Sequence, residues 1–240
     1  MRAYVLLLLL MAAPARAQVP VDVLLVLVSD VSRSVDDSEF TMEKDGYAAA
    51  FSNPRLLSAI RNGPAGAIAV AYVEFAGPYE VKTVLPWRVV RDAASARALT
   101  DALRAEPRSF YGRTSISAGI DRAMSLLAES RGVFEAGRKV IDVAGDGTNN
   151  SGRDVQAARD DAVGADVTIN GLAIINDHPV QYNFAHTQPP GGLTEWYRQN
   201  VTGGPGSFVL EIHDFSEFGE AMTRKLINEI AGLPQPGSRG

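Results

Sequence analysis

Residues 19–29 read VPVDVLLVLVS, apolar at nearly every position and rich in valine. A run of this length without polar alternation predicts a strand covered on both faces, as in a parallel sheet flanked by helices. The period then changes, and Phe40, Tyr47 and Phe51 fall on one side of a helix. Residues 67–75 (AIAVAYVEF) and 81–90 (VKTVLPWRVV) return to β character. Pro86 marks the second of these as an edge strand or a strand end. Residues 92–105 read as a helix ahead of Pro107. Ser115 can cap a helix that carries Ile116, Ile120, Met124 and Leu127. KVIDVA at 139–144 predicts a strand, 152–163 a helix with Val155, Ala158 and Ala162 on one side, and 166–175 a further strand. Residues 178–192 are polar and proline-rich, which predicts a surface loop. A short helix at 193–201 and a last strand at 207–212 follow. Asp214 and Glu217 have capping-box spacing ahead of a final helix with Phe218, Met222, Leu226 and Ile230 in register.

Strands and helices alternate from one end to the other. This predicts an α/β fold, a doubly wound, mostly parallel sheet flanked by helices on both faces. In such sheets ligands bind beyond the carboxyl ends of the strands, where the winding direction reverses.

The first residues follow another logic. Arg2, an apolar run at 5–13, Pro14 and Ala15-Arg16-Ala17 supply the charged start, the short apolar core and the small residues of a secretory signal. The run is too short to cross a bilayer core of ~30 Å as a helix, and no later segment is long enough. The expected organisation is a signal peptide at 1–17, one domain at 18–232 and a flexible tail at 233–240. The expected destination is the periplasm or the cell exterior.

Composition narrows the chemistry. The 240 residues carry 23 Lys+Arg against 28 Asp+Glu, a formal charge of -5, which argues against a nucleic-acid binder with its basic stripe. There is no cysteine, so disulfides, zinc–thiolate sites, iron–sulfur clusters and thiol nucleophiles are excluded. His178, His186 and His213 lack the close spacing of a zinc hydrolase, and neither a G-x-S-x-G elbow nor a phosphate-binding G-x-x-x-x-G-K-[ST] loop occurs. Trp196 and Tyr197 read as packing residues of the short helix.

Three oxygen-rich segments fall at predicted strand ends or helix starts. The first is Asp30-Val31-Ser32-Arg33-Ser34, after the most apolar strand. The second is Gly112-Arg113-Thr114-Ser115-Ile116, and the third is Gly145-Asp146-Gly147-Thr148-Asn149, after KVIDVA. Each has an ordinary explanation: Ser34 with Asp37 has capping-box spacing, Ser115 can be a helix cap, and Asp146 suits a turn. Taken together, two carboxylates and three hydroxyls, with no sulfur and no imidazole, form a hard all-oxygen donor set suited to a divalent cation.

D-x-S-x-S after a central strand, G-x-T-x-I opening a helix, and a strand ending in G-D-G resemble the metal-ion-dependent adhesion site of von Willebrand factor A domains. The resemblance covers nearly all of the chain after the signal. It implies metal contacts from Asp30, Ser32, Ser34, Thr114 and Asp146, with the hydroxyls binding directly and the aspartates often through water. More narrowly, the stretches AVAYVEFAG, KVIDVAGDGTNN, INGL and GGPGSFV are similar to a family of exported bacterial A-domain-like proteins that brings no known activity. Arg33 departs from the small residue that many A domains carry there. Pointing inward it opposes a cation; pointing outward it can meet an acidic partner.

The resemblance implies a protein-binding module rather than an enzyme, with Mg2+ as the cation (Mn2+ or Ca2+ as alternatives) and a protein partner that offers Asp or Glu to the metal. No catalytic residue and no organic cofactor is assigned. Two other readings stand beside it: a metal-dependent phosphate-ester hydrolase, and a metal-free interaction protein. Glu74 and Asp142, inside predicted strands, either make a structural hydrogen bond or salt bridge or support the metal ligands, Glu74 lying near a strand's carboxyl end.

Overall fold

The computed structural model describes residues 17–175 and 189–231. Of the expected signal peptide only Ala17 is therefore described. The polar stretch with His178 and His186, apart from its last residues, and the tail at 233–240 lie outside the described residues. Among the described residues no helix is long and apolar enough to cross a membrane.

Among the described residues six strands form one sheet: β1 (Val19–Asp30), β2 (Ile68–Phe75), β3 (Val81–Val90), β4 (Phe134–Gly145), β5 (Thr168–Ile174) and β6 (Val209–Ile212), in the order β3-β2-β1-β4-β5-β6. All neighbours are parallel except β2 and β3. The helices are α1 (Asp37–Ser52), α2 (Pro54–Arg61), α3 (Ala93–Ala105), α4 (Ile116–Glu129), α5 (Val155–Gly164), α6 (Leu193–Asn200) and α7 (Phe218–Ala231). This is the doubly wound α/β fold expected from the alternation. The winding reverses at β1, which pairs with β2 on one side and β4 on the other.

The strand alternation splits the core in two. Val23, Leu25 and Leu27 of β1 point to one side, against Tyr47 and Phe51 of α1, Leu99 of α3 and Phe218 and Leu226 of α7. Leu24, Val26 and Val28 point to the other, against Ile116 and Ile120 of α4, Ala158 of α5 and Tyr197 of α6. An unbroken apolar strand is the sequence signature of this double burial. Gly46 and Gly219 allow α1 and α7 to touch: a Cβ at Gly46 would lie 2.5 Å from the Phe218 ring and 3.0 Å from the Gly219 nitrogen.

Both borders of the sheet are irregular. Pro86 in β3 is exposed and sits in a register break between Val70 and Tyr72 of β2, as a residue without an N–H must. At the other border, β6 has four residues.

Several local expectations shift. β4 begins at Phe134, well before KVIDVA, because its first residues alternate between exposed and half-buried positions and lack the apolar run. A separate α2 follows α1, started by Asn53, whose side chain accepts from the Arg55 N–H, and by Pro54. The predicted helix at 152 starts at Val155, capped by Asp154. Asp214 caps a single 3-10 turn, Phe215–Glu217, that leads into α7. The capping box of α1 is formed by Asp36 and Glu39, not by Ser34 and Asp37. That register leaves the Ser34 hydroxyl available for other contacts.

Between the sheet and α1 lies an unusual set of buried carboxyls. Glu43 is almost wholly buried, and its Oε1 has no hydrogen-bond partner among the described residues. Burial pushes its carboxyl from 4.5 up to about 8, and the charges of Glu74 and Asp30 add to the effect. A carboxyl raised in the folded state holds a proton that the unfolded chain releases, so stability is lost as pH rises from about 4.5 to 8. Glu43→Gln removes that loss. Thermal melts should show the variant more stable than wild type at pH 8, with the gap closing at pH 4; equal melting at pH 8 would contradict the buried neutral carboxyl.

Candidate metal centre

The three oxygen-rich segments meet at the carboxyl ends of β1 and β4. Ser29 pairs with Ala144 across the two strands, so Asp30 and Asp146 emerge side by side. Thr114 comes from the loop before α4. Asp30, Ser32, Thr114 and Asp146 are each at most 4% exposed, and Ser34 is half-buried. The chain turns sharply after Asp30, whose Oδ1 accepts from the Ser32 N–H at 2.7 Å.

The side chains then form one continuous series. Thr114 Oγ1 donates to Ser32 Oγ at 3.1 Å, Ser32 Oγ and Ser34 Oγ are 3.1 Å apart, and Ser34 Oγ donates to Asp146 Oδ1 at 2.8 Å. All five candidate residues are thus brought together, from positions 116 residues apart in sequence at the extremes of Asp30 and Asp146. Oδ2 of Asp30 is buried and has no hydrogen-bond partner among the described residues. Burial, then repulsion from Asp146, pushes the Asp30 carboxyl from 3.8 up to about 8, against the pull of Ser32 and Arg108. Two carboxylates that resist ionising together are what a divalent cation stabilises. The donor set fits such an ion: hard oxygens only, two carboxylates to balance its charge, and neutral hydroxyls to fill its coordination. Among the described residues no three His, Asp or Glu side chains group as a metal cage, so the hydroxyls are essential to this assignment.

Two straps hold the loops in place. Beyond Asp146, the backbone N–H groups of Asn150 and Ser151 donate to the Thr114 carbonyl at 3.0 and 3.1 Å. The Thr114 N–H returns a bond to Asn150 Oδ1 at 3.1 Å, and the Ser117 N–H bonds Asn149 Oδ1 at 3.1 Å. The run after G-D-G therefore positions Thr114 beside Asp146. Ser115 serves as the N-cap of α4 and stays outside the series.

The second strap is Arg108, which sequence reasoning missed. Its buried guanidinium donates from Nη2 to the carbonyls of Val31 (2.9 Å) and Ser32 (2.7 Å), from Nε to that of Phe110 (3.0 Å), and from Nη1 to Asp37 Oδ1 (3.2 Å). It also lies 4.2 Å from the Tyr111 ring centroid. These bonds fix the backbone of the D-x-S-x-S turn against the loop that leads to Thr114. A single arginine in an irregular loop gives no periodic or motif signal. Gly112 lies in the same loop, close against the β2–β3 turn: a Cβ there would be 1.6 Å from Glu80 Oε2, the end of a side chain that would have to move aside.

Arg33 is exposed, and its backbone N–H donates to the Gly112 carbonyl at 3.0 Å. Asp142 forms a fully buried ion pair with Lys225 (2.5 Å), which also bonds Glu229 (2.6 Å); Asn170 donates to the same Glu229 oxygen at 2.8 Å. Glu74 faces Lys44 at 3.6 Å and accepts from the Ser109 N–H at 2.9 Å, tying down the loop that carries Arg108. His213 pairs with Glu211 at 3.0 Å.

The profile of the family described as "protein of unknown function (DUF1194)" matches residues 20–234. No curated protein matches the chain. Among solved structures it is similar to proximal thread matrix protein 1 from the mussel byssus, with 17% identity and a TM-score of 0.64 over 89% of this chain and 49% of that one. A form of that protein with a zinc-occupied MIDAS motif (the metal-ion-dependent adhesion site) gives 18% and 0.61 over 89% and 49%. A von Willebrand factor type A structure from Catenulispora acidiphila gives 16% and 0.58 over 88% and 43%. BatB from Bacteroides thetaiotaomicron gives 20% and 0.57 over 88% and 99%. The chain spans about half the length of the mussel protein. At these identities the likeness is one of fold: the architecture is that of von Willebrand factor A domains.

Proposed function

The chain belongs to the DUF1194 family, and we propose that it is an exported protein-binding module built on a divalent cation. Asp30, Ser32, Ser34, Thr114 and Asp146 hold the ion, Mg2+ in the first place and Mn2+ or Ca2+ as alternatives. A partner protein completes the coordination with the carboxylate of an Asp or Glu. One observation carries this reading: three hydroxyls from two separate loops link into a single series that ends on Asp146, beside a buried Asp30 oxygen with no hydrogen-bond partner among the described residues. The zinc-occupied motif of the mussel protein of the same fold supports it.

When bound, the cation supplies a fixed positive charge that attracts an anionic oxygen. The chain's own residues do the rest. The two carboxylates balance the charge, the hydroxyls orient around it, and Arg108 and Asn150 keep both loops in place. Exposed Arg33 and Arg113, with Tyr79 (98% exposed) and Tyr111 (60%), stand on the surrounding loops and provide the contacts that select a partner. The proposed role is not enzymatic, and it is exercised in the periplasm or outside the cell.

Calorimetric titration of the purified protein with Mg2+ and with Mn2+ is expected to reveal one site. Heat-silent titrations with both ions, together with thermal melts unchanged by either ion or by chelator, would overturn the proposal.

A further inference from the structure

Tyr197 of α6 is fully buried, yet its hydroxyl has no hydrogen-bond partner among the described residues. Two glycines make room for it. A Cβ at Gly171 of β5 would lie 2.9 Å from Tyr197 Cδ1, and a Cβ at Gly145, the last residue of β4, would lie 2.7 Å from the Tyr197 hydroxyl oxygen. That same point is 3.2 Å from Oδ2 of Asp30. The phenol oxygen and the carboxylate oxygen therefore flank the space that a side chain at 145 would fill. Both atoms are buried, and both lack a partner among the described residues.

The chemistry of the two groups is complementary. A phenol keeps its proton at neutral pH and can donate. Asp30 Oδ2 can accept. Phenylalanine would fill the same slot without burying an unsatisfied hydroxyl, which is destabilising by itself. A hydroxyl placed there against stability, in a slot opened by glycine in two strands, is accounted for if it serves the site.

We infer that Tyr197 is a positioning residue of the proposed metal centre: its buried O–H serves Oδ2 of Asp30 across Gly145 through one bridging water, and holds that carboxylate toward the cation. Groups that hydrogen-bond to a metal-binding carboxylate set its orientation, and their loss typically weakens metal affinity ~10–100-fold. The inference rests on the proposed cation site, and the experiment separates the two.

Wild-type protein, Tyr197→Phe and Gly145→Ala are titrated with Mn2+ by calorimetry and melted in chelator. Tyr197→Phe is expected to bind Mn2+ ~10–100-fold more weakly, while its metal-free melting temperature equals or exceeds that of wild type. A residue that only packs leaves the affinity for Mn2+ unchanged in Tyr197→Phe, whatever the melting temperature does. Gly145→Ala, which places a methyl between the two oxygens, should weaken binding as well, and the double variant should lose no more than the weaker-binding single variant if both act through one contact. Tyrosine difference absorbance on adding Mn2+ should appear in wild type and vanish in Tyr197→Phe. Wild-type protein that binds Mn2+, with Tyr197→Phe binding equally well, overturns this inference alone. Wild-type protein that takes up neither Mn2+ nor Mg2+, with melts unchanged by either ion or by chelator, overturns both it and the proposed function.

Discussion

Asp30→Asn is expected to lose Mg2+ and Mn2+ binding by at least ~100-fold, on the premise that two carboxylates balance a divalent charge, and at the same time to stabilise the metal-free protein. The opposite signs follow from one arrangement. Asp30 is buried next to Asp146, and its carboxyl is raised from 3.8 to about 8. Without a cation, the unfolded chain releases this proton as pH rises from about 4 to 8 while the folded chain keeps it, so stability declines across that window. Asparagine has no proton to lose, and its carbonyl can still accept from the Ser32 N–H. Melts in chelator should therefore favour the variant at pH 8 and converge near pH 4. Each kcal/mol of gain should move the midpoint by ~2–4 °C. A variant that binds Mn2+ like wild type would remove Asp30 from the site. A variant less stable than wild type in chelator at pH 8 would show that the carboxylate is needed for folding.

Lys225→Met, away from the candidate metal centre, should be strongly destabilising. Lys225 has no exposed surface and sits between Asp142 and Glu229, both equally inaccessible or nearly so. Removing one member of a buried ion cluster leaves the others uncompensated and costs ~3–5 kcal/mol, or about 10 °C or more in a domain of this size. Burial raises the carboxyls of both Asp142 and Glu229, the latter from 4.5 to about 7, and Lys225 acts against the shift in each case. Without the ammonium both retain protons to higher pH. The deficit of Lys225→Met should therefore be smallest near pH 4, where the unfolded chain is also protonated, and widen toward pH 8. A triple variant, Asp142→Asn with Lys225→Met and Glu229→Gln, should recover much of the loss. A deficit that does not change with pH would mean that lost packing, not lost charge, is responsible.

These two sites differ in how far the sequence reveals them. The valine-rich run of β1, Pro86 at a border and the spacing of Ile116, Ile120 and Leu127 on α4 are consequences of burial, and burial leaves a periodic trace. Ser32, Ser34, Thr114 and Asp146 are legible for a related reason: each lies within two or three residues of a strand end or a helix start, where short polar motifs stand out against apolar runs. Arg108 has no such frame. It acts on backbone carbonyls of Val31, Ser32 and Phe110, and carbonyls are present at every position, so nothing in the sequence marks its targets. Tyr197 reads as a packing residue because its ring does pack, and only the position of its hydroxyl over Gly145 distinguishes it. Lys225 falls at an inward position of α7, but a pattern of apolar positions treats a lysine there as a break. The capping box of α1 slipped by two residues because Ser34, Asp36, Asp37 and Glu39 offer two overlapping solutions, and three-dimensional demand on Ser34 selects one of them.

The two borders of the sheet bear on how such a protein can associate. An outer strand usually tempts a neighbouring molecule to continue the ladder, which is the first step of fibril growth. Here one margin runs antiparallel to its neighbour, with a proline at a break in pairing, and the other stops after four residues. Among the described residues, lateral polymerisation through main-chain contacts is disfavoured on both flanks, so a proposed partner would be met by the loops at the carboxyl ends of the strands rather than by a sheet border.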